Sequence, residues 1–127
     1  MQILAALFVE TIDQRTVPGP ATRIDLGGVM FSVVAPSPPP VTITPHLVVI
    51  VRCAADESGT DVLEVVFTDA AGEQVARNVQ PLQVEPGKFG RQLVRGELTY
   101  TDYGTIEANC RTARSEPVVV PLTLLPA

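Results

Sequence analysis

A chain of 127 residues with 14 acidic and 9 basic side chains carries a net charge of −5, and its basic residues are eight scattered arginines and the single Lys88. That balance lacks the gathered positive stripe that recognises DNA, RNA or an anionic membrane surface, so no nucleic-acid partner is expected. The length suits a single domain spanning 1–127 whose core needs no staples, and no window approaches the roughly 18 continuous apolar residues of a membrane span.

Nineteen valines fall in short runs that alternate apolar with polar and are cut by Pro, Gly or Asp, the pattern of an all-β chain. Residues 1–9 are apolar but have no Lys or Arg ahead of the apolar run and meet Glu10 and Asp13 directly after it, unlike a secretory signal. We therefore read residues 2–9 as a first strand and expect a cytoplasmic protein with reduced thiols. Arg over Lys, with abundant Ala, Val and Pro, suggests a high-GC bacterial source.

In that first strand Ile3, Ala5, Leu7 and Val9 share one face and Leu4, Ala6 and Phe8 the other, so both faces are apolar and something must cover the second. Residues 13–22 contain Val17-Pro18-Gly19-Pro20 and read as a loop, because proline cannot donate to a ladder. A strand resumes near Arg23, with Gly27-Gly28 marking a bulge or a close backbone approach. Pro36-Ser37-Pro38-Pro39-Pro40 is a stiff connection, read as a crossing between sheets in preference to a ligand for a polyproline-binding domain.

From His46 a strand places Leu47, Val49, Val51 and Cys53 on one face and Val48, Ile50 and Arg52 on the other. Residues 54–60 form an exposed turn, and residues 61–68 a strand with Leu63, Val65 and Phe67 inward. Asp69-Ala70-Ala71-Gly72 is a hairpin turn returning through residues 73–79. Pro86-Gly87 marks another turn, residues 91–100 a strand and residues 100–104 a corner. In the next strand Ile106, Ala108 and Cys110 oppose Thr105, Glu107 and Asn109; in the last, residues 117–125, Pro121 points to a sheet edge.

About eight such strands with no helical period indicate a two-sheet antiparallel β-sandwich with Greek-key connections; a small barrel is the alternative. The apolar start at residues 3–9, Leu26-Gly27-Gly28-Val29, the hairpin at residues 67–73 and the closing Tyr103-Gly104-Thr105-Ile106 with Val120-Pro121-Leu122 together resemble short single-domain bacterial β-sandwich proteins, immunoglobulin-like or C2-like, that have no assigned activity. The immunoglobulin core Trp is absent, and the resemblance brings no catalytic or binding residues.

The residues that carry chemistry elsewhere read blandly here. Cys53 and Cys110 both face inward, an arrangement that permits an inter-sheet disulfide, but the expected compartment favours two buried free thiols, and neither has the exposure and polarising neighbour of a nucleophile. His46 is the only histidine, so no His-His metal pair forms within one chain. Asp56, Glu57 and Asp61 gather in one turn, yet an EF-hand begun at Asp56 would need Gly and Glu where Asp61 and Phe67 stand, and a C2-like calcium site finds only Asp13 and Asp102 in similar corners. Lys88, Arg91 and Arg95 read as the solvated face of a strand. Of Tyr100 and Tyr103, one is expected to tie a corner through its hydroxyl, although the pair with Asp102 would also suit a small recognition spot. Phosphate-loop, dinucleotide, zinc and hydrolase motifs are missing, so no enzyme and no cofactor are expected.

One feature asks for a partner: surplus outward apolar surface at Leu4, Phe8, Val48 and Ile50. The leading expectation is a non-enzymatic interaction module that binds itself, as a symmetric dimer, or a protein partner through that sheet face. The runner-up is a small-ligand or calcium-dependent binding domain using loops 54–60 and 100–104.

Overall fold

The computed structural model describes residues 1–19 and 21–127. Among them are eleven strands and no helix: β1 (Gln2–Thr16), β2 (Thr22–Met30), β3 (Ser32–Val34), β4 (Val41–Ile43), β5 (His46–Arg52), β6 (Thr60–Thr68), β7 (Gln74–Gln83), β8 (Phe89–Arg95), β9 (Leu98–Tyr100), β10 (Gly104–Arg111) and β11 (Val118–Leu125). The first sheet has the order β2-β1-β5-β8 and the second β3-β11-β10-β6-β7, while β4 and β9 form a two-stranded piece. Setting aside the three strands of three residues leaves the eight expected from the alternation. The β6–β7 hairpin belongs to the second sheet, whereas β5 before it and β8 after it pair with each other in the first. Four successive strands closed in this way make a Greek key.

The core lies between the sheets. Leu47, Val49 and Val51 of β5 and Val94 of β8 face Leu63, Val65 and Phe67 of β6, Ala108 and Cys110 of β10 and Leu122 and Leu124 of β11, all essentially without solvent exposure. Each of the valine, leucine and phenylalanine side chains contributes roughly 1.5–3 kcal/mol on burial, so period-two alternation is the main reason these segments become strands. The hairpin at 69–72 forms as its sequence requires: Gly72 has φ +81°, Asp69 Oδ1 accepts from the amides of Ala71 and Glu73, and the Gly72 amide donates to the Asp69 carbonyl at 2.9 Å.

Four local readings change. Asp13 to Thr16 are not loop but the end of β1, paired with Thr22 to Asp25, since no proline interrupts the chain before Pro18. Pro20, assigned to the same loop, lies outside the described residues. The strand expected at 91–100 breaks into β8 and β9 at Gly96, which is buried against Phe67; a Cβ there would lie 2.9 Å from Phe67 Cζ, so the chain leaves the first sheet and pairs with β4.

β11 is an edge strand over only part of its length, because β3 joins it in parallel at Thr123 to Leu125. The Thr123 amide donates to the Phe31 carbonyl at 3.0 Å, and Pro121, two residues earlier on the same side, lies beyond the start of β3, where no donor is needed. Finally, β1 carries a bulge between Ile3 and Ala5: Ile3 pairs with Val51 but Ala5 with Ile50. The extra residue, Leu4, inverts the phase, so Ile3, Ala6 and Phe8 enter the core and Ala5, Leu7 and Val9 turn to the outer face.

The sides of the sandwich are closed by side chains. Between β7 and β8, Gln80 Nε2 donates to the Leu93 carbonyl at 3.2 Å while its Oε1 accepts from Gln92. At the end where β1 begins and β10 stops, Thr112 Oγ1 donates to the Met1 carbonyl at 2.9 Å.

Candidate interaction face

The outer face of the first sheet is built in rows by the register. Gln2, Arg52 and Phe89 form one row, Ala5, Ile50 and Arg91 the next, then Leu7, Val48 and Leu93, then Val9, His46 and Arg95. Of the residues expected to form an exposed patch, Phe8 is not on this face at all. It is 1% exposed in the core, because the bulge at Leu4 turned it inward. Val48 does lie on the outer face but is also only 1% exposed.

A roof made by the chain itself explains that burial. The distal half of the β1–β2 hairpin leaves the sheet plane at Glu10 and Thr11, opposite Gly27 and Gly28. Gly28 has φ +62°, and a Cβ there would meet the Glu10 carboxyl group at 2.6 Å; one on Gly27 would sit 2.4 Å from Thr11 Oγ1. Only glycine permits so close a crossing with that backbone. Beyond the bend, Ile12 pairs with Leu26 and Gln14 with Ile24, and the three apolar residues are half-buried. Gln14 Oε1 accepts a hydrogen bond from Arg91 of β8, which ties the hairpin across the sheet, and Val9 and Val48 lie buried outside the main core. The cover that the two-sided first strand required is therefore its own continuation.

The roof stops short of the end of the sheet. There Leu4 is 51% and Phe89 71% exposed, on the two strands that flank β5, with half-buried Ile50 between them. Arg23, Ile24, Ile50, Phe89, Gly90 and Arg91 line a crevice of about 350 Å³ between hairpin and sheet. Two of the four expected patch residues, Leu4 and Ile50, thus come together, and Phe89 joins them. The sequence reading missed Phe89 by starting the strand at Arg91; the signal was its place just after the Pro86-Gly87 turn, where β8 begins.

The other candidates disperse. Loops 54–60 and 100–104 lie at opposite ends of the second sheet, since β10 starts beside the end of β6 and ends beside its start. The 100–104 corner joins the 69–72 turn around a groove of about 250 Å³, but Asp69 and Asp102 each spend an oxygen on neighbouring backbone amides. Tyr100, also on that groove, is the tying tyrosine: its buried hydroxyl donates to the Leu122 carbonyl at 2.6 Å, and burial pushes its pKa up to about 12. Tyr103 is exposed.

Glu57 of the 54–60 loop and Asp61 at the start of β6 receive the Met1 amino group at 2.5 and 3.4 Å. That hydrogen bond, with the Ala54 amide, holds Glu57 below its ordinary pKa. Burial works against ionisation of Asp61, yet the amides of Val62 and Ala113 and the Met1 ammonium leave it lowered as well. Among the described residues no three His, Cys, Asp or Glu side chains assemble as a metal site. Asp13 pairs with Asp25 on the hairpin, far in register from Asp102. Cys53 and Cys110 are buried free thiols, and burial pushes Cys110 up to about 12. His46 is half-buried opposite Val9 and Arg95.

These features define an all-β two-sheet sandwich domain with one sheet face partly roofed by its own hairpin. No family model matches the chain, and no curated protein is similar to it. Among solved structures it is similar to a glycosyl hydrolase family 2 member from Bacteroides cellulosilyticus DSM 14838, with a TM-score of 0.59 and 12% identity over 69% of this chain and 14% of that one. At that identity the likeness is one of fold, and the chain spans only a small part of the protein it matches. No helix of the described residues is long and apolar enough to cross a membrane.

Proposed function

We propose that the protein is a non-catalytic interaction module that docks a protein through the unroofed end of the first sheet's outer face. The observation that carries this reading is the pair of large exposed side chains, Leu4 and Phe89, flanking Ile50 at the end of the face that the hairpin leaves open, with Leu93 also exposed further along β8. Phe31 and Val34 are also exposed elsewhere, but Phe89 is the most exposed large apolar side chain, and with Ile50 it lines a crevice beside Leu4; apolar side chains grouped at a crevice mark a docking site more than scattered exposure does. The non-catalytic part is supported by two cysteines buried away from any reactant, of which Cys110 is kept protonated by burial, and by a histidine set opposite an arginine instead of a carboxylate. Likeness to a fragment of a glycosyl hydrolase brings no reacting residues with it.

Light scattering over a dilution series, combined with a photo-crosslinking phenylalanine analogue at position 89, tests the proposal. A mass above 13.5 kDa that Phe89→Asp returns to monomer, or one partner crosslinked at position 89 and lost with Leu4→Asp, supports it. A strict monomer that crosslinks to nothing at that position overturns it.

A further inference from the structure

We infer that the protein docked on this face is a different chain that presents carboxylates around an apolar side chain in an acidic, extended segment; the inference rests on the proposed docking function and specifies its partner. None of the outer-face positions of β5 and β8, or of β1 from Gln2 to Val9, is acidic, whereas Arg52, Arg91 and Arg95 all lie there. This concentration of positive charge belongs to a molecule with net charge −5. Arg91 is held by Gln14, a neutral partner, and Arg52 and Arg95 form no ion pair among the described residues. By contrast Arg15, Arg77, Lys88 and Arg111, elsewhere on the surface, each sit on a carboxylate. Arg114, between β10 and β11, likewise has no ion pair among the described residues, but Arg52, Arg91 and Arg95 gather three arginines without a carboxylate partner on the face that also exposes Leu4 and Phe89.

Charge complementarity then selects the occupant. A symmetric dimer through this face would set arginines against arginines with no carboxylate between them, so the dimer expected from the sequence is disfavoured here. A nucleic acid or an anionic bilayer would meet only Arg52, Arg91 and Arg95, with Arg23 at the crevice, on an otherwise acidic molecule, far short of a phosphate-tracking stripe. The crevice between Ile24, Ile50 and Phe89 has the size for an apolar side chain, and Arg91 lies at its wall. In an extended segment, residues two apart share a face, so a carboxylate on either side of an inserted leucine would point at the flanking arginines.

The test is an amide NMR titration of the full chain with acetyl-(Glu-Ser-Leu-Ser)3-amide and, separately, with acetyl-(Lys-Ser-Leu-Ser)3-amide. The expected result is shifts confined to His46–Arg52 and Phe89–Arg95, with the acidic peptide bound at least about tenfold more tightly, and the preference reversed in Arg52→Glu/Arg95→Glu. Among the described residues neither of those arginines makes a side-chain bond, and the dispersion of the variant's spectrum shows whether it is folded. Equal response to both peptides on those strands would overturn the acidic partner while leaving the docking face standing. No shift on those strands with either peptide would remove both readings. Co-sedimentation with vesicles of equal phosphatidylserine and phosphatidylcholine, lost in the same variant, or a dimer dissolved by Phe89→Asp, would also overturn it.

Discussion

Tyr100 closes its corner from the inside: with the ring buried, its hydroxyl reaches from β9 to the carbonyl of Leu122 in the middle of β11. Removing the oxygen leaves the ring packing intact but strands that carbonyl contact. Tyr100→Phe is therefore expected to lose about 1–2 kcal/mol of stability, read as a lower midpoint in urea. Tyr103→Phe, at an exposed position, should stay within about 0.5 kcal/mol of the parent. The sequence showed that one tyrosine of the pair would tie the corner, yet it did not say which. That depended on which ring the turn faced toward β11, and Thr101 and Asp102 between them are compatible with either. Leu4 and Phe8 make the same point: both are apolar, and only the bulge assigns one to water and the other to the core.

At the scale of elements, the β1–β2 hairpin is both strand and cover, and its bend rests on Gly28. A β-branched residue at φ +62° costs roughly 1–2 kcal/mol, and the added Cβ would also press on the Glu10 carboxyl group. Gly28→Val is expected to loosen the roof before it unfolds the sandwich. Amide hydrogen exchange should accelerate in Thr22–Met30 while β6 and β10 keep their protection; uniform acceleration in all three would show that the hairpin is not a separate layer. The Gly27-Gly28 pair was readable as a close backbone approach, but its partner was not, because Glu10 and Thr11 are brought there by strand pairing. The same pairing extended β1 through Asp13 to Thr16, where the nearby prolines suggested a loop.

For the whole molecule, stability is bracketed by titrations of opposite sense. Glu64 bridges three strands, taking Arg77 Nη2 at 2.6 Å and Arg111 Nε at 2.7 Å; these bonds hold its carboxyl below the ordinary 4.5, and Glu57 is lowered as well. Groups lowered in the folded state stabilise it above their ordinary pKa and lose that contribution as pH falls through the folded value, here below about pH 4. Burial raises Cys110 from 9.0 and Tyr100 from 10.0, both to about 12, so their contribution is complete below pH 9 and is lost as pH climbs toward 12. The Met1 ammonium, raised from 8.0 by Glu57 and Asp61, adds a loss that begins above pH 8, so a plot of melting temperature against pH should be flat from the acid limit up to about pH 8 and fall on both sides. Glu64→Gln should flatten the acid limb and Tyr100→Phe the alkaline one; unchanged limbs in these variants would show that other groups control them.

The amino-acid sequence by itself determined the class of fold, most strand positions and the inward residues of β5, β6, β10 and β11, because period-two burial is written locally wherever one face is apolar and the other polar. It determined the 69–72 hairpin for the same reason: Asp and Gly are required by the turn's own geometry. Where both faces of a strand are apolar the pattern has no phase, so only tertiary structure decided that Leu4 bulges, that Phe8 is core and that Val48 lies beneath a hairpin. Only the tertiary structure gathered Arg52, from one strand, beside Phe89, Arg91 and Arg95 of another some forty residues later, since the register between β5 and β8 is set by packing across the whole sandwich. The candidate face is a product of that register, which is why its residues, scattered along the chain, carry no motif.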